Sequence, residues 1–289
     1  MAPPPPPAAA AVAVPPGPAV PVAPPQEPPL APAAPRQLDE LAGMVLLTGA
    51  AIVAAITPPY SWRDEFVEQF VVILRRVLLP AIISSAAFAF GVALSFGGLM
   101  DALGSSARLG GFWAVGALRE FGPWVTGMVV AGVGGTAVCA DLGARRVRDE
   151  ISALEVMGLD PVRALVVPRF LALGIVTALM NLIVCAAGMI GAWLAAVIVF
   201  HDSSGGFFMT FATVLSLVEL LASVLKTAMF GFIIAIVCCY KGLNASGGSE
   251  GVGRAVNQAV VVSFAAIWVF HYLFTSTMLA AFPDIHQLR

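Results

Sequence analysis

The chain has 289 residues, of which 59% are hydrophobic and only 11% are Asp, Glu, Lys or Arg. Soluble domains hold roughly a quarter of their residues as charges, and several apolar runs here reach the roughly 18–20 residues that cross a bilayer as helix; a soluble globular protein is excluded. The net charge of −2 supplies no basic face for nucleic acid and no acidic sink for metal, and the mean hydropathy of +0.92 points to an all-α polytopic membrane protein.

Residues 1–35 carry 15 of the 22 prolines, most of the rest being Ala. Proline bars helix and the segment has no core-forming pattern, so a disordered, partly polyproline-II tail is expected. It has neither the basic start nor the compact apolar region of a signal peptide. Residues 38–57 are apolar, preceded by Asp39 and Glu40 and stopped by Pro58–Pro59; a helix lying in the membrane interface is the expectation. Trp62 to Arg76 places Phe66, Phe70 and Ile73 at helical spacing among charges, an amphipathic lead-in with Arg75 and Arg76 at headgroup level.

Five spans follow, at about 77–100, 112–139, 164–200, 212–240 and 255–282. The connection 140–163 holds Arg145, Arg146, Arg148 and Arg163, and 241–254 holds Lys241 and Arg254, whereas 201–210 has no Lys or Arg. The positive-inside bias makes the first two cytoplasmic and the third external, with the N-terminus cytoplasmic and the C-terminus outside.

The connection after the second span interrupts this apolar chain with eight charges in the 22 residues ADLGARRVRDEISALEVMGLDP, 140–161. Between Gly143 and Gly158 it reads as one short helix. Val147, Ile151, Leu154 and Gly158 form a stripe, and Arg145–Asp149 and Arg146–Glu150 pair at i, i+4. Arginines at its start and Glu155 toward its end oppose the helix dipole, so self-stabilisation explains the pattern poorly. Positive-inside bias alone needs neither the acids nor the stripe; a helix that docks a cytoplasmic partner needs both.

Within the spans, Gly127, Ala131 and Gly135 recur at i, i+4, i+8, a spacing that lets helices approach closely, either inside the chain or between subunits. Arg119, Glu120, Glu219 and Lys226 fall in or near spans, where a charge costs about 2.5–3.5 kcal/mol on insertion scales. Glu219 and Lys226 share a helix face, which suits a polar lipid path or a structural pair. The four cysteines lack C-x-x-C spacing and His201, His271 and His286 are far apart in sequence, so neither a metal site nor a disulfide framework is expected. GGSEGVGR, 247–254, is not a phosphate loop, and Ser84, Ser85 and Asn181 stand without partners in the sequence pattern. No catalytic residues are assigned, and ATP hydrolysis is not expected of this chain.

Residues 119–173, REFGPWVTGMVVAGVGGTAVCADLGARRVRDEISALEVMGLDPVRALVVPRFLAL, closely resemble the signature of the MlaE/YrbE permeases. The block KTAMFGFIIAIVCCYKGLNASGGSEGVGRAVNQAVV, 226–261, is similar to the same family's fourth and fifth spans. The wording CADLGAR and MGLDPVRALVVPR is most like the A-type YrbE subunits of actinobacterial Mce systems. The resemblance implies a permease domain over 36–289 and a cytoplasmic coupling helix between spans two and three, seated in a groove of an ABC ATPase. The matching positions include Asp141, Arg145, Arg146, Arg148, Asp149, Glu150, Leu154 and Glu155. It also implies a heterodimer with a homologous B-type permease, MCE-domain proteins on the external side, and a lipid substrate. The chain itself would carry no cofactor, ATP and Mg being bound by the partner ATPase, and it would reside in the inner (plasma) membrane. The alternative is a membrane scaffold that anchors MCE proteins without moving lipid.

Overall fold

The computed structural model describes residues 33–105 and 108–281, with side chains from Leu38 onward among the first of these. Ten α-helices follow in order, and the described residues contain no strand. They are α1 (Ala33–Ile56), α2 (Arg63–Ala102), α3 (Leu109–Gly116), α4 (Gly122–Val129), α5 (Thr136–Val147), α6 (Glu150–Val156), α7 (Val167–Ile198), α8 (Ser204–Val214), α9 (Leu217–Leu243) and α10 (Gly248–Ala281). Of the expected tail, 1–32 lie outside the described residues, and 33–35 belong to the first turn of α1.

The second span is not one regular helix. It runs from α3 to α5 with wide π turns at Ala117–Phe121 and Val130–Gly135, and a third π turn, Val162–Val166, leads into α7. Such turns remove carbonyls from the regular i→i+4 ladder and gather at functional sites. Gly127, in α4 between the two turns, and Gly135, the last residue of the second turn, pack inside the chain. A Cβ on Gly127 would stand 3.0 Å from Phe230, and one on Gly135 2.8 Å from the Cys238 sulfur, while Ala131 is wholly buried. Gly127 and Gly135 therefore seat α4 and the second π turn against α9.

Helix α7 is the hub, packed on α2 along one side and on α9 along the other, and α9 in turn meets α5 and α10. With no hydrophobic drive between helices in lipid, close approach of small residues does the packing. At Gly231 a Cβ would lie 2.5 Å from the Leu173 carbonyl and 2.6 Å from the Thr177 hydroxyl, so α7 and α9 touch there almost backbone to backbone. The four-residue repeat Ile73, Val77, Ala81, Ser85, Ala89, Ala93, Gly97 is the buried stripe of α2. Phe66 and Phe70 of the lead-in pack against the core and Ile73 is buried in it. At 40 residues, or roughly 60 Å, α2 is about twice the hydrocarbon thickness, so its charged first turns stand outside the apolar layer.

Six helical stretches, Leu38–Ile56 included, are long and apolar enough to cross a membrane. The contacts of α1 nevertheless run sideways. Near its start Glu40 accepts from Lys241, at the end of α9, at 2.7 Å. Just past its end, Thr57 and the Pro59 carbonyl accept from Arg163, at the start of the third π turn, at 3.1 and 3.3 Å. Lys241 and Arg163 lie at the same end of the antiparallel pair α9 and α7, so α1 crosses that end of the bundle over about 25 Å. Leu41, Val45, Leu46, Val53 and Ile56 face outward, as an interfacial helix requires. Five spans and one interfacial helix thus agree with the expectation from sequence.

Candidate functional site

Two polar groupings stand out, at opposite ends of the bundle. The first lies within the spans. Arg119, in the π turn Ala117–Phe121, forms an ion pair with Glu219 on the first turn of α9. Two turns further along α9, Lys226 donates to the Arg119 carbonyl at 2.7 Å and to the Thr275 hydroxyl of α10 at 2.8 Å. Glu120, the neighbour in the same turn, meets Nε2 of His271 on α10 at 2.5 Å. Glu219 and Lys226 are buried. They share a lining, as their spacing suggested, but each pairs with α4's preceding turn or α10 and not with the other.

Arg119, Glu219, Lys226 and Thr275 of this grouping border a small, partly open pocket. Leu118, Ala222, Phe274, Met278 and Leu279 supply apolar walls, and Arg119, Glu219, Ser223, Lys226 and Thr275 supply the polar part. Formal charges on the lining sum to +1, from Arg119, Lys226 and Glu219, and the Arg119 charge is already matched by Glu219. Lys226 is the lining's cation that makes no ion pair with Glu219; the Glu120 carboxylate lies within its electrostatic reach, and its ammonium stands over the Phe274 ring. Asn181, which has no partner in the sequence pattern, donates to Ser223 at 2.8 Å behind this pocket, and Ser85 donates to the Val184 carbonyl at 2.6 Å. Both serve helix packing.

The second grouping is the charged connection, and here the structure corrects the single helix expected over Gly143–Gly158. Helix α5 continues from the second span to Val147, the chain breaks at Arg148–Asp149, and the short α6 begins at Glu150. Asp149 has φ 58°, a left-handed conformation that Asp tolerates better than most residues. The break moves the ion pairs. Arg145 lies 3.3 Å from Asp141, one turn back, and 3.8 Å from Glu150, while Arg148 meets Glu150 at 2.7 Å. The expected pairs Arg145–Asp149 and Arg146–Glu150 do not form among these contacts. Asp141 is part of α5, where it also receives Arg169 of α7 at 2.6 Å.

The elbow keeps one apolar side inward, Ile151 buried and Leu154 packed on the core, and turns another outward. Val147, expected to share one partner-facing stripe with Ile151 and Leu154, is exposed while those two turn onto the chain's own core, because the break separates them. Val156 is 90% exposed and Met157 65%, with Leu159 close behind. Glu155 is exposed beside them. At the other turn of this end, Gly247 and Gly248 both have positive φ, which glycine supplies readily; Glu250 and Arg254 pair on the surface at 2.8 Å.

A family model described as Permease MlaE matches residues 66–277. The chain belongs to the MlaE permease family. A probable ABC transporter permease protein of Rickettsia bellii is 30% identical, the alignment covering 83% of this chain and 92% of that protein. The intermembrane phospholipid transport system permease protein MlaE of Haemophilus influenzae is 28% identical over 66% of this chain and 74% of its own. A probable ABC transporter permease protein of Rickettsia typhi is 33% identical, but the chain spans only 62% of its length. The matched span contains both groupings, so this MlaE-family chain carries its elbow and its pocket within the part shared with relatives.

Residue reasoning did not single out His271, Thr275, Glu65 or Arg169 as site residues. No other histidine lies near His271 in sequence, yet its partner is a carboxylate three spans away. Arg169 was visible as a lone cation in the apolar run VVPRFLAL, a signal of a buried partner.

Proposed function

We propose that this chain is the transmembrane permease subunit of an ABC-type lipid transporter, non-catalytic itself and coupled to a separate ATPase. The observation that carries a lipid, in place of a soluble solute, is the pocket: a cation not paired with Glu219, Lys226, set among apolar walls in a membrane-spanning helix. That combination suits an amphiphile with an anionic headgroup. The printed name of the Haemophilus influenzae relative, a phospholipid transport permease, supports the same substrate class. The outward apolar residues of the elbow, Val156, Met157 and Leu159, together with the charges of the same connection, Arg145, Arg146, Arg148, Glu150 and Glu155, form the seat for the ATPase. Buried apolar contact would supply affinity and the charges register.

The arginine-rich end faces the cytoplasm of an inner (plasma) membrane and the α8 end faces outward. The N-terminus is then cytoplasmic and the C-terminus external. The resemblance to A-type YrbE subunits supports a heterodimer with a B-type permease and MCE-domain proteins on the outer side. Reconstitution of the complex in proteoliposomes tests the reading, with transfer of labelled phospholipid followed with and without ATP. ATP-dependent transfer is expected. Assembly with MCE proteins but no transfer under any nucleotide would support the anchoring scaffold instead. A stable, ATPase-bound homodimer of this chain alone would overturn the heterodimer.

A further inference from the structure

Arg169 is the largest fully buried side chain among the described residues. It sits in the first turn of α7, where its Nη2 reaches Asp141 Oδ2 on α5 at 2.6 Å and Glu65 Oε1 on α2 at 3.3 Å, and its Nη1 donates to the Leu165 carbonyl at 2.8 Å. A guanidinium taken out of water is tolerated only when paired and hydrogen-bonded, and its planar fork lets one side chain serve several acceptors. One residue thus fastens three helices at the elbow end.

The contacts continue on both sides. Asp141 is shared with Arg145, Arg145 reaches Glu150, and Glu150 accepts from Arg148. On the other side Glu65 accepts from Gln69 at 2.9 Å. An unbroken line of polar contacts therefore runs from the first residue of α6 through α5 to α7 and α2. Two cations share the Asp141 carboxylate, and two carboxylates share the Arg169 guanidinium. Asp141 and Arg169 are thus each held by two opposite charges, so displacing one member of the line strains its neighbours on both sides.

We propose that Arg169 is a positioning residue that carries movement of α6 to α2 and α7. The part of this that names the ATPase as the source of the movement rests on the proposed function; the mechanical link itself does not. Apolar contacts such as Ile151 and Leu154 allow a small slide, whereas Nη2 of Arg169, which meets both carboxylates while Nη1 is fixed on the Leu165 carbonyl, ties α5 and α2 to α7 at one point. A displacement of the elbow would then be felt at the start of the first span and at the hub helix together.

The test uses the full-length chain purified with its complex, comparing Asp141→Asn and Arg169→Lys with Arg254→Gln, a surface control at the other turn. Hydrogen exchange is followed at 63–70 and 150–156. Both segments are expected to exchange at least about fivefold faster in both variants and to be unchanged in the control. Acceleration in one segment alone, or in neither, overturns the proposal. Asp141→Asn, whose side chain is part-exposed, keeps the test open if the lysine variant does not fold. In proteoliposomes, lipid moved per ATP hydrolysed is expected to fall at least about tenfold with the ATPase still bound. An unchanged ratio overturns the link and leaves the transporter reading intact. Absence of lipid movement by the unaltered protein overturns the transporter reading, and the exchange result then decides for or against Arg169 by itself.

Discussion

Replacing Lys226 by Met keeps nearly the same side-chain length and removes the charge that the pocket presents. The fold loses two hydrogen bonds from an ammonium, to the Arg119 carbonyl and to Thr275, each worth about 1.5–3 kcal/mol when one partner is charged. Against that, a 3% exposed ammonium no longer has to be held away from water, a cost of several kcal/mol per ion. The two effects oppose each other at similar size, so the variant should fold and assemble, with stability changed by no more than about 2 kcal/mol. Ligand binding has no such compensation. An anionic headgroup 4–8 Å from Nζ would gain about 2–4 kcal/mol at an effective dielectric constant near 20, and Arg119 cannot substitute because Glu219 already neutralises it. Even the lower figure is about thirtyfold in affinity. The assay is mass spectrometry of phospholipid retained on the purified complex, with ATP-driven transfer measured alongside. At least about tenfold less retained lipid is expected for Lys226→Met, and substantial recovery for Lys226→Arg. Retention and transfer within about twofold of the unaltered protein would refute the reasoning. A variant that does not assemble would make Lys226 structural, and the lipid path would be abandoned.

Gly231→Ala should push α7 and α9 apart, because its Cβ would meet the Leu173 carbonyl and Thr177; thermal unfolding in detergent should show a loss of about 1–3 kcal/mol. Val156→Asp and Met157→Asp alter exposed positions, so folding should change by no more than about 0.5 kcal/mol, while retention of the ATPase on the purified permease should fall at least about tenfold. Single cysteines at 204–206 should react with an impermeant reagent added outside intact cells, and those at 246–248 should not; the reverse pattern would invert the orientation.

Apolar run length was enough to read the five spans, because crossing hydrocarbon demands about twenty apolar residues whatever their neighbours are. The acidic start and double-proline stop of 38–57 likewise identified an interfacial helix, although its composition alone also fits a span. What decided the matter was tertiary: Lys241 and Arg163 hold its two ends at one end of the bundle. The Gly127, Ala131, Gly135 series left packing within the chain and packing between subunits equally open until Phe230 and Cys238 were found against it.

The elbow was readable as a charged partner-docking segment, but not as two helices. Helical periodicity assumes an unbroken screw, and a single left-handed residue, Asp149, resets the phase. That reset gives Glu150 to Arg145 and Arg148 in place of Arg146. The intramembrane charges were visible because each is costly in lipid, and the same cost implied partners. Their identity, Arg119 with Glu219, Glu120 with His271, Arg169 with Asp141 and Glu65, joins residues up to about a hundred and fifty positions apart. Sequence determined which segments had to be in the membrane and which charges had to find company; only the packing of small residues around α7, which sets the helices' azimuths and heights, decided the company they found.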